Sequence, residues 1–203
     1  LREHAGLLGW RPNFTIYDAQ DQVQLVKETA RELGVKTDAF DAKKTASLVS
    51  SVKTGRIALR KAPRELAALY KEYQANRKLY NAVDFDDLIM LPIELLKTHP
   101  EVRDAYQQRF RYLLVDEFQD TSEAQYELMR LLVGPAGNVC VVGDDDQSIY
   151  SWRGADYENI LRFERDFPGL RQVTLDQNYR STPTILKAAN ALITHNADRK
   201  GKS

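Results

Sequence analysis

Apolar positions follow two regimes along the chain. Through the first 110 residues they recur at helical spacing; beyond that they gather into short branched runs. Asp18 caps a predicted helix in which Val23, Leu25, Val26, Ala30 and Leu33 recur near helical spacing, and Gly34 stops it. A second helix is predicted over about 41–53, broken by Thr54-Gly55. A third starts at Pro63 and carries Leu66, Leu69, Tyr73 and Leu79. Nothing in the first 80 residues reads as a strand of a parallel sheet. Asp84 opens a fourth helix with Leu88, Ile89, Leu91 and Leu95, and a short fifth covers about 101–110.

Three runs then read as buried strands: Tyr112-Leu113-Leu114-Val115, Val139-Cys140-Val141-Val142 and Val173-Thr174-Leu175. Predicted helices over about 122–133, 157–166 and 183–193 alternate with them. That order is the pattern of an α/β parallel sheet. Such sheets bind ligands at the carboxyl ends of their strands, and each run here ends in acids or Gly-Asp. There is no internal repeat, and 196–203 read as a frayed basic end.

Composition narrows the picture. The 203 residues are 43% hydrophobic and 29% charged, which excludes collagen-like, mucin-like and wholly disordered chains. One cysteine, Cys140, excludes an intrachain disulfide or a cysteine zinc cluster. No apolar run approaches a membrane span. The chain begins Leu1-Arg2-Glu3-His4, with no initiator methionine, signal or transit peptide, and reads as a piece of something longer. Its net charge of zero conceals segregation. Residues 43–78 hold ten Lys/Arg and two acids, whereas 84–127 hold eleven acids and four bases. A basic stretch can track a polyanion, or simply be a solvated helix face.

Three strings carry candidate chemistry. Leu113-Leu114-Val115-Asp116-Glu117 is an apolar strand delivering two carboxylates, the Walker B arrangement. One acid can hold Mg²⁺ on nucleotide phosphates and the next can deprotonate a water. A strand followed by an acidic turn would look the same. Gly143-Asp144-Asp145-Asp146-Gln147-Ser148-Ile149-Tyr150-Ser151-Trp152-Arg153-Gly154-Ala155 comes after the next run. Gln147 could read a γ-phosphate, and Tyr150 and Trp152 could stack on bases. The alternatives are a buried Trp anchor or an acidic calcium loop, whose EF-hand spacing the string does not match. Gln177-Asn178-Tyr179-Arg180-Ser181 offers an arginine finger and a stacking ring, or merely a surface Arg beside a helix cap at Ser181 or Thr182.

In this order and spacing the three strings resemble superfamily 1 DNA helicases of the UvrD/PcrA/Rep group. Asn13-Phe14-Thr15-Ile16-Tyr17-Asp18 and Val83-Asp84-Phe85-Asp86-Asp87-Leu88-Ile89 resemble it too, the latter and Ser-Trp-Arg-Gly-Ala being most Rep-like. The resemblance covers essentially the whole chain. It implies a RecA-like nucleotide triphosphatase core with a mainly helical 1B insertion: 1–83 as 1B, 84–170 as the later part of domain 1A, and 171–203 as the start of domain 2A. It further implies ATP and Mg²⁺ as cofactors, with Asp116 as the Mg²⁺ ligand and Glu117 as the catalytic base. Gln147 would contact the γ-phosphate, Arg180 would be the arginine finger, and Tyr179 would stack on adenine. Gln119 would share in coupling nucleotide to DNA. Trp152, Tyr150, Arg153 and Phe85 would meet single-stranded DNA, and the basic stretch would touch duplex phosphates. The implied activity is ATP-driven 3′–5′ translocation and unwinding in replication or repair, in the bacterial cytoplasm at the nucleoid.

The 203 residues contain no Gly-x-x-x-x-Gly-Lys-[Ser/Thr] loop; Gly201-Lys202-Ser203 lacks the first glycine and a preceding strand. The expectation is therefore an internal helicase segment, inactive alone, with exposed apolar sheet edges. Two other readings stay open. One is a DNA-binding piece without hydrolysis. The other is a helicase–nuclease motor subunit, against which the Asp-Asp-Asp-Gln-Ser-Ile-Tyr-Ser-Trp spelling argues.

Overall fold

A computed structural model of the chain describes residues 1–35, 40–148, 155 and 158–193. The architecture is mixed α/β, with two parallel sheets of two strands each among the described residues. The chain divides into two compact units: Leu1–Phe110 with Glu127–Gly134, and Arg111–Tyr126 with Pro135–Ser203.

In the first unit, three helices form the layer that the periodicity predicts. Helix α1 (Ala19–Glu32) starts on Asp18, whose carboxylate accepts the Gln20 and Asp21 amides at 2.7 and 2.9 Å. Asp21 in turn accepts the Asp18 amide at 3.1 Å, so the helix entry is tied from both sides. Helix α2 (Ala42–Lys53) is capped by Asp41, and α3 (Arg64–Leu79) comes directly after Pro63. Leu25, Val26, Ala30, Ala46, Val49, Leu69 and Tyr73 interlock as their core. Each large side chain buried there contributes roughly 1.5–3 kcal/mol.

The wholly helical expectation for the first 80 residues is wrong. Strand β1 (Thr15–Tyr17) pairs in parallel with β2 (Ala82–Asp84), Thr15 opposite Ala82 and Tyr17 opposite Asp84. Three residues are too few to display a period, and the partner lies on the far side of three helices in the sequence. Helix α4 (Asp87–Thr98) consequently begins at Asp87 rather than Asp84, which completes β2. Behind the sheet pack Ala5, Trp10, Phe14, Val83 and Leu91. Helix α5 (Pro100–Arg109) adds Val102 to a third cluster with Leu95, Leu96 and, from α6 (Glu123–Leu132), Leu128, Leu131 and Leu132.

In the second unit β3 (Leu113–Val115) pairs in parallel with β4 (Val139–Val141), Leu113 opposite Val139. An aromatic cluster backs the loops after β3. Phe118 and Phe163 lie 5.5 Å apart between ring centroids, and Phe163 and Phe167 lie 4.6 Å apart. Phe163 comes from α7 (Glu158–Asp166). Two further expectations fail here. The strands are not buried: Leu114 is 72% exposed and Cys140 is exposed. Val173-Thr174-Leu175 forms no strand, and Val173 and Leu175 are 67% and 84% exposed. Helix α8 (Pro183–Ile193) forms as expected yet has no buried residue. A strand needs a neighbour for its backbone groups and a layer for its faces. Among the described residues neither meets 173–175.

Candidate functional site

The two strand ends of the second unit make one site. The ladder continues past β4: the Val142 amide donates to Val115 O at 2.8 Å, and the Phe118 amide donates to Val142 O at 2.9 Å. This holds 116–118 beside 142–144. Asp116 and Glu117 emerge there with exposed carboxylates. Asp116 Oδ1 accepts the Glu117 amide at 2.9 Å. Glu117 sits in the left-handed region (φ 49°, ψ 43°), a conformation costing an ordinary residue about 1 kcal/mol. The turn directs the two consecutive carboxylates to the same end of the sheet.

Gln119 joins the two strand ends. It is only 1% exposed; its Nε2 donates to Glu117 Oε2 at 2.7 Å, and its Oε1 accepts the Asp144 amide at 3.0 Å. A backbone N–H can only donate, so the Asp144 contact determines which end of the carboxamide faces Glu117. Gly143 leaves room for this bridge, since a Cβ there would lie 2.9 Å from Gln119 Oε1. Asp144 then holds Gln147: Asp144 Oδ2 accepts Gln147 Nε2 at 2.9 Å, and Asp144 O accepts the Gln147 amide at 3.0 Å. Asp116, Glu117 and Gln147 are thus gathered by one hydrogen-bonded frame. Sequence spacing does not reveal the bridge, because a buried glutamine in a polar string reads as coil.

Tyr179, Arg180 and Phe85 are not part of this hydrogen-bonded frame. Tyr179 is 92% exposed and Arg180 is exposed. Asn178 Oδ1 accepts the Arg180 and Ser181 amides, both at 2.9 Å, and Thr182 O accepts the Leu186 amide as α8 begins. Among the described residues no hydrogen bond or ion pair joins Arg180 to Asp116, Glu117 or Gln147. Tyr150, Trp152 and Arg153 lie outside the described residues; Ala155, just after them, forms an isolated bridge with Ser122. Phe85 belongs to the first unit, between β2 and α4, and is 58% exposed.

The acids on either side of Phe85 in the chain, Asp84 and Asp87, belong to a buried charge cluster that a count of charges along the sequence misassigns. Lys53 Nζ meets Asp84 Oδ2 at 2.5 Å and Asp87 Oδ1 at 3.0 Å, Arg77 pairs with Asp87, and Tyr73 OH donates to Asp84 Oδ2 at 2.8 Å. The four charged side chains are 2–5% exposed. Lys53 and Arg77 therefore face no polyanion, and Asp84 and Asp87 are offset locally. Burial pushes Asp84 upward, but the Lys53 charge and hydrogen bonds from Lys53 and Tyr73 outweigh it and hold the carboxyl below its usual range. Burial, with the Asp84 charge, pushes Asp87 up to about 6 against the pull of Lys53 and Arg77. The Tyr73 hydroxyl is raised by burial and by Asp84. Arg56, Arg60, Lys61 and Arg64, around the α2–α3 connection, remain exposed.

The donor set suits a hard cation shared with a ligand. No cluster of three or more His, Cys, Asp or Glu able to cage a metal occurs among the described residues. Mg²⁺ is commonly held by one or two carboxylates together with phosphate oxygens, and exposed Asp116 fits that use. No helix among the described residues is long and apolar enough to cross a membrane.

Comparison with known proteins identifies the family. The family described as UvrD/REP helicase N-terminal domain matches residues 1–168. Proteins named ATP-dependent DNA helicase PcrA from Staphylococcus epidermidis and Leuconostoc citreum are 43% and 44% identical over 210 aligned residues. The alignments cover all of this chain but 29% and 28% of those proteins. The PcrA of Staphylococcus aureus is likewise 43% identical, with 29% of its length covered. The chain therefore belongs to the UvrD/REP helicase family and spans under a third of the length of the relatives it matches.

Proposed function

We propose that this chain is the part of an ATP-dependent 3′–5′ DNA helicase that carries its hydrolytic carboxylates and one face of its DNA path. The observation that carries the reading is the frame at the ends of β3 and β4, which gathers Asp116, Glu117 and Gln147 through Gln119. Asp116 would hold Mg²⁺, which supplies charge neutralisation on the β- and γ-phosphates when bound with ATP. Glu117 takes the proton of the attacking water. Gln147 presents its amide to the γ-phosphate, Arg180 approaches as the finger, and Tyr179 stacks on adenine. Phe85, Tyr150 and Trp152 stack on single-stranded bases beside Arg153. The exposed bases around 56–64 meet duplex phosphates. In this reading 1–83 is the 1B insertion, 84–170 the later part of a RecA-like domain 1A, and 171–203 the start of domain 2A. The working protein has the length of the PcrA relatives and acts on DNA in the bacterial cytoplasm.

The test is DNA-stimulated ATP hydrolysis by the full-length protein beside its Glu117→Gln variant. Hydrolysis that DNA stimulates, and that the variant loses while still binding ATP, supports the reading. A full-length protein that binds DNA without hydrolysis would make it a binding module instead.

A further inference from the structure

Phe85 and Asp86 join β2 to α4 in a tight turn, and the acids on either side of them hold each other. Asp87 Oδ2 accepts the Asp84 amide at 2.9 Å, and Asp84 Oδ1 accepts the Asp87 amide at 3.1 Å. The same two carboxylates are held by Lys53 of α2 and by Tyr73 and Arg77 of α3. A buried ionic cluster is a poor source of stability, because desolvation offsets much of its Coulombic gain and apolar residues of similar volume can replace it. Apolar residues could not, however, hold the backbone amides of Asp84 and Asp87. The cluster also balances two acids against two bases, so Asp84 and Asp87, which flank the exposed Phe85 in the chain, present little net charge to an approaching phosphate.

We infer that Tyr73, Lys53 and Arg77 are positioning residues for Phe85, clamping the 84–87 loop so that its ring is pre-set to stack on a base of single-stranded DNA. The inference rests on the proposed base-stacking role of Phe85. The clamp spares the loop the ordering cost of binding, which otherwise comes out of affinity.

The test measures binding of fluorescent oligothymidylate and ATP turnover by the full-length protein. Phe85→Ala should weaken binding about tenfold, the scale of one lost base–aromatic stack. Tyr73→Phe removes one oxygen from the clamp and should weaken binding about threefold or more, with KM for ATP unchanged. Combined with Phe85→Ala it should weaken binding no further, because the clamp acts only through that ring. Lys53→Met should behave like Tyr73→Phe; if it unfolds the protein, Tyr73→Phe alone decides. Three results overturn the inference. If Phe85→Ala leaves binding unchanged, the stacking role fails and the clamp's purpose fails with it. If Phe85→Ala weakens binding but Tyr73→Phe stays within twofold of the parent, only the positioning role fails. If the two effects multiply, or KM for ATP rises with them, Tyr73 is a general structural residue.

Discussion

Glu117 is held at a backbone angle that few non-glycine residues adopt, with one carboxylate oxygen bound by Gln119. Removing its charge should therefore slow turnover without disturbing the frame. In the full-length protein, Glu117→Gln is expected to lower ATPase kcat by about 10²–10⁴-fold, the share of a general base, with nucleotide binding retained in a filter or fluorescence assay. Gln119→Met keeps the volume but cuts both hydrogen bonds. It is expected to lower kcat about 10–100-fold, the usual cost of losing a group that orients a catalytic one, with KM for ATP little changed. Gly143→Ala should act in the same direction, since its Cβ would crowd Gln119 Oε1 at 2.9 Å. The carboxylates themselves were legible from the string Leu-Leu-Val-Asp-Glu. The bridge was not, because it joins a loop to another strand end through a side chain with no pattern of its own.

Helix α2, helix α3 and the turn before α4 share the buried cluster, so acidification should act on them together. The folded-state carboxyl of Asp87 is raised to about 6, above its unfolded value near 4, so the folded form takes up its proton first as pH falls. That strengthens folding as pH drops from about 6 to 4. Asp84 is shifted the opposite way, and its contribution is present above about pH 4 and lost as pH falls further toward its folded value. Thermal melts should show the first trend, and Asp87→Asn should flatten it between pH 4 and 6; an unchanged slope would remove Asp87 as its source. Around the connection between α2 and α3, Arg60, Lys61 and Arg64 are exposed. Reversing all three charges is expected to weaken duplex binding by the full-length protein and to flatten its log–log salt dependence by up to about 3, one phosphate contact each. The charge count pointed to this stretch, yet it also enlisted Lys53 and Arg77. Only their burial against Asp84 and Asp87 separates structural bases from available ones.

Across the chain, the strands of the second unit are open where parallel strands are ordinarily covered. Leu114 and Cys140 face solvent, and a shallow groove runs along Tyr112, Leu113, Leu114, Val139 and Cys140. The Cys140 thiol should react readily with an aromatic disulfide reagent in the 203-residue chain. In a protein of the relatives' length, further sheet and helices are expected to shield it and slow the reaction. Equal rates in both would mean that β3 and β4 are an open edge in the native protein. The same logic accounts for residues 173–175, whose apolar run reads as a strand but pairs with no strand among the described residues, and for α8, none of whose residues is buried.

The features that the sequence alone dictates are those of local order. Helices α1, α2, α3, α5, α6, α7 and α8 lie within a few residues of their predicted bounds, since their periods, Asp caps and prolines act within a turn or two of the chain. The acids at the ends of β3 and β4 were likewise legible, because a strand fixes the position of the residues at its carboxyl end. Pairing was not. The β1–β2 ladder, the buried quartet of Lys53, Arg77, Asp84 and Asp87, and the Gln119 bridge each join segments distant in sequence. A strand of three residues, or one buried charge, acquires its role only from the partner that folding brings to it.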